Sequence, residues 1–162
     1  MDPDETLRYR QALGAFATGV VIVTAQDAGQ GAVGLVANSF TSVALDPPLI
    51  LWCLGDASDR GVYFRSAERF GVSVLAAEQE ALSARIARRG QHRLEPSEVT
   101  RDPAGLPLIA GALSGLSCRT RERLHVGDHL VIVGEVERFS TGPGDGLTYF
   151  RGRYGRAATP QV

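Results

Sequence analysis

The chain has 162 residues, with 17 basic against 18 acidic side chains and a net charge of −1, which fits one compact domain and offers no electrostatic footing for nucleic acid or an anionic membrane. All 17 basic residues are arginine, so a Schiff-base lysine and a lysine-bearing phosphate loop are both excluded. The apolar runs are strand-sized, far short of the roughly 20 residues that cross a bilayer, and the polar, acidic N-terminus is not a signal peptide.

In chain order, Asp4 can cap a helix over about residues 4–18 that puts Leu7, Leu13 and Phe16 on one inward face. Gly19 ends it, and Val20 to Ala25 is an almost wholly β-branched strand. Asp27 to Gly31 turns the chain, and Ala32 to Ala37 returns as a hairpin partner. Then comes a polar loop. Asn38, Ser39, Thr41 and Ser42 surround Phe40, and Asp46-Pro47-Pro48 closes the stretch because a Pro-Pro pair rules out helix. Short side chains there admit a ligand close to the backbone, as does any loop of this composition joining two strands.

Leu49 to Leu54 is apolar on both faces, which predicts a central strand. Ser58 or Asp59 caps a short helix to Ala67, followed by a strand from Phe70 to Leu75. Residues 78–89 read as a helix with Ala81, Leu82 and Ile86 inward and Arg85, Arg88 and Arg89 outward. Residues 90–106 lose all periodicity and read as an excursion over the surface. Two long strands follow, Ala112 to Leu124 and His129 to Phe139, about a turn at Val126 to Asp128, with an irregularity expected near Gly115. Leu147 to Phe150 is a last strand before a glycine- and arginine-rich tail. Six or seven mostly antiparallel, hairpin-connected strands with two or three helices predict a mainly β fold, a closed or nearly closed barrel with helical caps.

The motif matches are poor. Gly29 to Gly34 is a formal G-x-G-x-x-G, but Gly34 opens a stretch that meets two prolines without helical period, so it reads as a hairpin turn. His125 and His129 stand four apart, yet Gly127-Asp128 between them makes a turn, which argues against a metal site. Gly111 to Gly115 has the wrong register for a serine elbow, and no carboxylate pair lies in an apolar setting. Cys53 and Cys118 could form one disulfide, and their apolar flanks also suit two reduced, buried thiols in a cytoplasmic protein. What is missing points to chemistry carried by a bound organic cofactor.

Several ordered blocks carry a family resemblance. Phe16 to Val20, Val33-Gly34, Ala37 to Val43 and Asp46 to Leu49 are followed by Arg69 to Leu75, Gly127-Asp128-His129, Gly134 to Val136 and Tyr149 to Tyr154. Together they resemble the flavin reductase-like, FMN-binding split-barrel family. The resemblance implies a single split-barrel domain over residues 1–162, with Greek-key-like strands. It implies a homodimer that transfers a hydride from NAD(P)H to FMN or FAD and supplies a partner flavin monooxygenase.

Position by position, it implies that Val36, Ala37, Asn38, Ser39, Phe40 and Thr41 line the isoalloxazine, with Cys53, Leu54 and Gly55 passing along it. Ser58, Asp59, Arg60 and Arg85 fall near the flavin phosphate. His129, as a catalytic residue, and Tyr149, Phe150, Arg151 and Gly152 fall on the nicotinamide side. Three departures stand out: Val36 replaces a common threonine, Arg60 replaces a hydroxyl residue, and Gln91-His92-Arg93-Leu94 replaces an Asp-Lys-Phe segment. Two further readings remain open at this stage, a flavin-binding barrel without NAD(P)H turnover and a cofactor-free interaction module.

Overall fold

A computed structural model describes residues 1–160. Helix α1 (Pro3–Gly14) starts with a proline in its first turn and the Asp2 carboxylate accepting the Glu5 N–H at 2.8 Å. It stops four residues before the expected end, where the Gly14 carbonyl accepts the Arg151 N–H. Nor does it bury an apolar face in this chain: Leu7, Leu13 and Phe16 are all more than half exposed.

Two strands lead on, β1 (Thr18–Gly19) and β2 (Val21–Asp27), then β3 (Gly31–Ala37), β4 (Thr41–Leu45) and β5 (Pro48–Gly55). Helix α2 (Gly61–Phe64) precedes β6 (Arg69–Val74), and a 3₁₀ turn at Ala77–Gln79 runs into α3 (Glu80–Ala87). After a second 3₁₀ turn come β7 (Val99–Arg101), β8 (Pro107–Ile109), the long pair β9 (Ser114–Val126) and β10 (His129–Thr141), and the hairpin β11 (Gly146–Phe150) and β12 (Arg153–Ala157).

The main sheet is antiparallel, in the order β3-β2-β6-β9-β10-β5-β4. Its two edges, β3 and β4, are consecutive in sequence and joined by residues 38–40 alone. Four Cα steps from Ala37 to Thr41 reach at most about 15 Å. Seven strands laid flat would put those edges about 29 Å apart. The sheet must therefore roll up, and since β3 and β4 form no ladder with each other, the barrel is split where the 38–40 loop crosses.

The rolled face encloses the main core. Val23, Val33, Trp52, Leu54, Val72 and Cys118 have no exposed surface, and Phe64 of α2 plugs the barrel edge-on to Trp52 at 5.5 Å. Each such side chain contributes on the order of 1.5–3 kcal/mol through burial. Outside the barrel a second cluster joins Ile22 of β2 to Ile86 of α3, Leu94, Ile109 and Leu147, and so pins α3 and the β11–β12 hairpin over the split.

Several expectations need correction. β5 is one strand from the edge: Ile50, Trp52 and Leu54 face inward, while Leu49, Leu51 and Cys53 are half-buried on the outer face. Cys53 is thus only partly buried, and both thiols are free. Neither Ser58 nor Asp59 caps α2, whose N-cap is Arg60. Ala81 of α3 is exposed, and buried Ser83 takes the inward position beside Ile86.

The 90–106 excursion docks instead of floating: Leu94 and Leu106 are buried, Arg93 bridges Val33, and β7 lies within it. Gly115 pairs in register, and the irregularities fall at Arg121 and Glu137. The tail is a strand, β12, because Arg151 (φ 48°) and Gly152 (φ 78°) form a tight turn of the left-handed kind that hairpins use.

Candidate functional site

The split opens into a cleft. Its wide mouth, about 1020 Å³, lies between the end of α1 (Arg10, Leu13), Phe16 and Thr18 after it, residues 38–41 and Tyr149 with Gly152. Through Asn38 and Tyr149 it continues to a narrower part of about 200 Å³ floored by Val20, Val36 and Ala37, with Tyr154 and Ala87 as walls. Past Val36 and Ala87 it reaches a third part of about 250 Å³, lined by Leu35, Cys53, Gly55, Ser58 and Arg60.

The local chemistry explains this shape. β3 must end at Ala37 for the chain to cross the split, and Ser39 pins the crossing: its hydroxyl accepts the Cys53 N–H at 3.0 Å and donates to the Cys53 carbonyl at 3.4 Å. Ser39 is therefore spent holding the loop to β5. Asn38 is exposed and its amide has no partner among the described residues, so it is free to meet a ligand. Phe40 packs half-buried against the core, and Thr41 opens β4 at the rim.

At the inner end Arg60 is largely buried and heavily committed. One terminal nitrogen, Nη2, donates to the Ile86 and Arg88 carbonyls, both at 2.6 Å, and the other, Nη1, donates to Asp59 at 2.7 Å. It thus caps the C-terminus of α3, a favourable place for a cation. Asp59 also accepts the Gly90 N–H at 2.8 Å. That bond, and the Arg60, His92 and Arg89 charges, hold its carboxyl below the usual range against the opposing effect of burial. Ser58 accepts the Arg60 N–H and lines the same end.

Two polar atoms of cleft-lining residues are buried without a partner: Thr18 Oγ1 in the mouth and Arg60 Nε at the inner end. A ligand with polar groups at both ends and a flat middle fits this donor set. Short side chains line the passage, and Gly55 leaves β5 open at its end. No group of three or more His, Cys, Asp or Glu with metal-holding geometry occurs among the described residues.

The remaining residues named from the sequence are placed unevenly. Leu54 is fully buried in the barrel and offers only backbone. Arg85 turns away from the cleft, with Nη2 on both Glu98 oxygens at 2.6 Å and Nη1 donating to the Arg93 carbonyl, so it anchors the 90s segment. His129 sits exposed at the β9–β10 turn, where Nδ1 meets the Asp128 carboxylate at 2.7 Å. That bond holds the Asp128 carboxyl below its ordinary range. A Cβ built on Gly55 would lie 3.6 Å from His129 Nε2, so the imidazole stands beside the inner end of the cleft.

Tyr149 is half-buried at the other end, while Phe150 is exposed under the Arg151 guanidinium at 5.3 Å. Arg151 and Gly152 also line an adjoining cavity of about 640 Å³ against α1. His129 and Tyr149 line no common cavity among the described residues.

The sequence reading missed Tyr154, Ala87, Val20, Thr18 and Arg10 as lining residues. Tyr154 packs edge-on to Tyr149 at 5.3 Å and its hydroxyl bonds the buried Ser83 hydroxyl at 2.9 Å, which ties β12 to α3. A hairpin turn at Arg151-Gly152 would have been the signal for it.

Comparison with known proteins agrees along nearly the whole chain. The family model described as "Flavin reductase like domain" matches residues 13–158. A relative from Agrobacterium fabrum, "FMN reductase (NADH) SmoA", is 43% identical over 148 residues, 91% of this chain and 84% of that protein. The reductase component of the flavin-dependent trigonelline monooxygenase of Acinetobacter baylyi is 36% identical over 155 residues, and the chain, 95% of which is matched, spans 50% of that longer protein. Among solved structures, the NADH:FAD oxidoreductase SgcE6 of Streptomyces globisporus, in complex with NAD and FAD fragments, superposes with a TM-score of 0.87. It is 35% identical, covering 98% of this chain and 96% of its own.

Proposed function

This chain belongs to the flavin reductase-like domain family, and from that premise we propose that it is an NAD(P)H:flavin oxidoreductase that reduces FMN or FAD in the cytoplasm and supplies a monooxygenase partner. The observation that carries the reading is the three-part cleft at the barrel split, with orphaned polar atoms at both ends and small residues between. The relative named an FMN reductase and the solved NADH:FAD oxidoreductase support the same chemistry, and the monooxygenase component supports the partner.

A bound flavin supplies the hydride acceptor, its N5, and the nicotinamide supplies the hydride. The work left to the chain is placement. Val20, Val36 and Ala37 form an apolar floor for a planar ring, and Asn38 can meet its polar edge from the exposed side. Tyr149 and Tyr154 wall the passage and exclude water there, held by the Ser83 bond. Arg60 and Ser58 receive phosphate at the inner end. The mouth above residues 38–41 leaves room for the nicotinamide, so that two rings can stack with reacting atoms about 3–3.5 Å apart. His129, with Nδ1 held by Asp128, keeps Nε2 available beside Gly55.

A homodimer is part of the proposal. The outer faces of β5, β10 and β9 place half-buried Leu51, Cys53, Val131 and Val133 beside exposed Leu124, and the apolar face of α1 is also bare. A second copy would cover both.

The test is steady-state oxidation of NADH and of NADPH with added FMN or FAD. Turnover with at least one pair is the expected result, and none with any of the four pairs sinks the reading.

A further inference from the structure

On the α1 side the cleft continues past its mouth. A cavity of about 640 Å³ opens beside it, and Arg10, Ala12, Gly14 and Gly152 line both spaces. Two cations line the cavity, Arg10 from α1 and Arg151 from the turn before β12, and no carboxylate lines either space. Among the described residues neither guanidinium has an ion-pair or hydrogen-bond partner. Arg151 lies only over the Phe150 ring, at 5.3 Å.

The end of α1 does not neutralise this pair. Its last carbonyls are already used: Ala12 accepts the Ala15 N–H at 3.2 Å, Leu13 the Phe16 N–H at 3.1 Å and Gly14 the Arg151 N–H at 2.8 Å. A helix leaves roughly half a negative charge at its C-terminus, against two full positive charges on the arginines. The cavity is therefore electropositive, and it suits an anion with more than one charge.

The flavin is not the source of that anion in the arrangement proposed above. With its ring on Val20, Val36 and Ala37, its phosphate lies toward Ser58 and Arg60 at the opposite end. A dinucleotide with its nicotinamide in the mouth carries its pyrophosphate one ribose further out. Arg10, common to both spaces, stands on that path.

We infer that the cavity between α1 and the Arg151-Gly152 turn receives the pyrophosphate of the nicotinamide dinucleotide, with Arg10 and Arg151 as its two cations. The inference rests on the flavin reductase reading above and deepens it, by naming where the co-substrate is held outside the reacting rings. Both arginines are positioning residues, since hydride transfer takes place in the cleft itself. FAD also carries a pyrophosphate, so the experiment separates the two sources.

The experiment compares NADH with reduced nicotinamide riboside, which has the same hydride donor and no phosphate. Steady-state turnover is measured with FMN and with FAD on the full-length wild type, Arg10→Gln and Arg151→Asn. Glutamine keeps the helix, and asparagine suits the left-handed backbone at residue 151 (φ 48°). The wild type should use NADH at least about tenfold more efficiently in kcat/KM than the riboside, and the advantage should shrink as salt is raised. Each substitution should raise the KM for NADH about fivefold with kcat within about twofold, and should change kcat/KM for the riboside by less than about twofold. Equal losses with both donors would mean that the arginines only shape the mouth, and that overturns the inference. So does an unchanged KM for NADH in variants whose melts match the wild type. Fluorescence quenching titrations with FMN and FAD read the other pyrophosphate: weaker FAD binding with FMN unchanged assigns the cavity to the flavin and also overturns it. A riboside as efficient as NADH on the wild type overturns this inference alone and needs no variant, whereas no turnover with any reduced nicotinamide overturns the functional reading beneath it.

Discussion

At the scale of single residues, the cleft separates side chains that hold it from side chains that face a ligand. Ser39 is of the first kind. Its replacement by alanine strips the Cys53 backbone of its hydroxyl partner and should cost about 1–3 kcal/mol, read as a lower melting temperature. Asn38 is of the second kind. Asn38→Ala should leave the melt unchanged while weakening flavin binding in the quenching titration. Equal effects of the two changes would refute the division. The two cysteines differ just as sharply. Burial, with some help from the Glu137 charge, pushes the Cys118 thiol up to about 12, so at neutral pH it stays protonated and inert. A thiol-reactive disulfide reagent should therefore leave Cys118 unmodified in the native protein and titrate both cysteines in denaturant. Two fast-reacting thiols in the native state would show that the barrel core is open.

At the scale of elements, the bulge at Glu137 does the work of a clasp. The extra residue in β10 puts its carboxylate between Arg69 of β6 and Arg119 of β9, and the bonds to these arginines, Arg69 first, hold its carboxyl below the ordinary 4.5. A depressed folded-state value means stability present above the unfolded value and lost as pH falls through the folded one. Glu137→Gln should thus be less stable than wild type by about 1 kcal/mol at pH 7, in denaturant melts, with the gap closing as the medium is acidified below 4.5. A gap that persists in acid would mean the clasp is not ionic. The 90s segment teaches a different lesson about elements. Its polar composition hid two buried leucines, Leu94 and Leu106, and an anchor in Arg85–Glu98 whose partners lie 13 residues apart. Local periodicity cannot register an irregular backbone docked by isolated side chains.

For the whole molecule, the bare apolar faces argue for assembly. Leu13 on α1, Phe16 just beyond it and Leu124 on β9 are 57%, 77% and 49% exposed, and α1 buries nothing in its own chain. Sedimentation equilibrium should give twice the chain mass, and Leu124→Glu should shift the population toward the single chain. A wild-type protein that sediments as one chain at micromolar concentration would remove the dimer from the proposal. Size also matters to the cleft, because its mouth is bounded on one side by α1, the element with the least support from its own chain.

The fold class was legible from the sequence because alternation, β-branched runs and turn residues act locally, and these set the strands and the rough helix positions within a few residues. The polar loop at residues 38–40 was legible as short side chains after a buried strand, but the strand β4 (Thr41–Leu45) that fills the rest of the stretch before the Pro-Pro stop was not, because its mostly exposed residues carry no alternation of burial. Tertiary structure decided what local pattern cannot encode. Only the placement of β3 and β4 at opposite edges of one seven-stranded sheet makes that loop the crossing of a split. Only long-range packing sets Tyr154, Ala87 and Val20 around it, turns Arg85 outward to Glu98, and ties Arg60 to the end of α3. These are contacts between residues far apart in the chain, fixed by which faces meet when the barrel closes, and no spacing along the sequence carries that information.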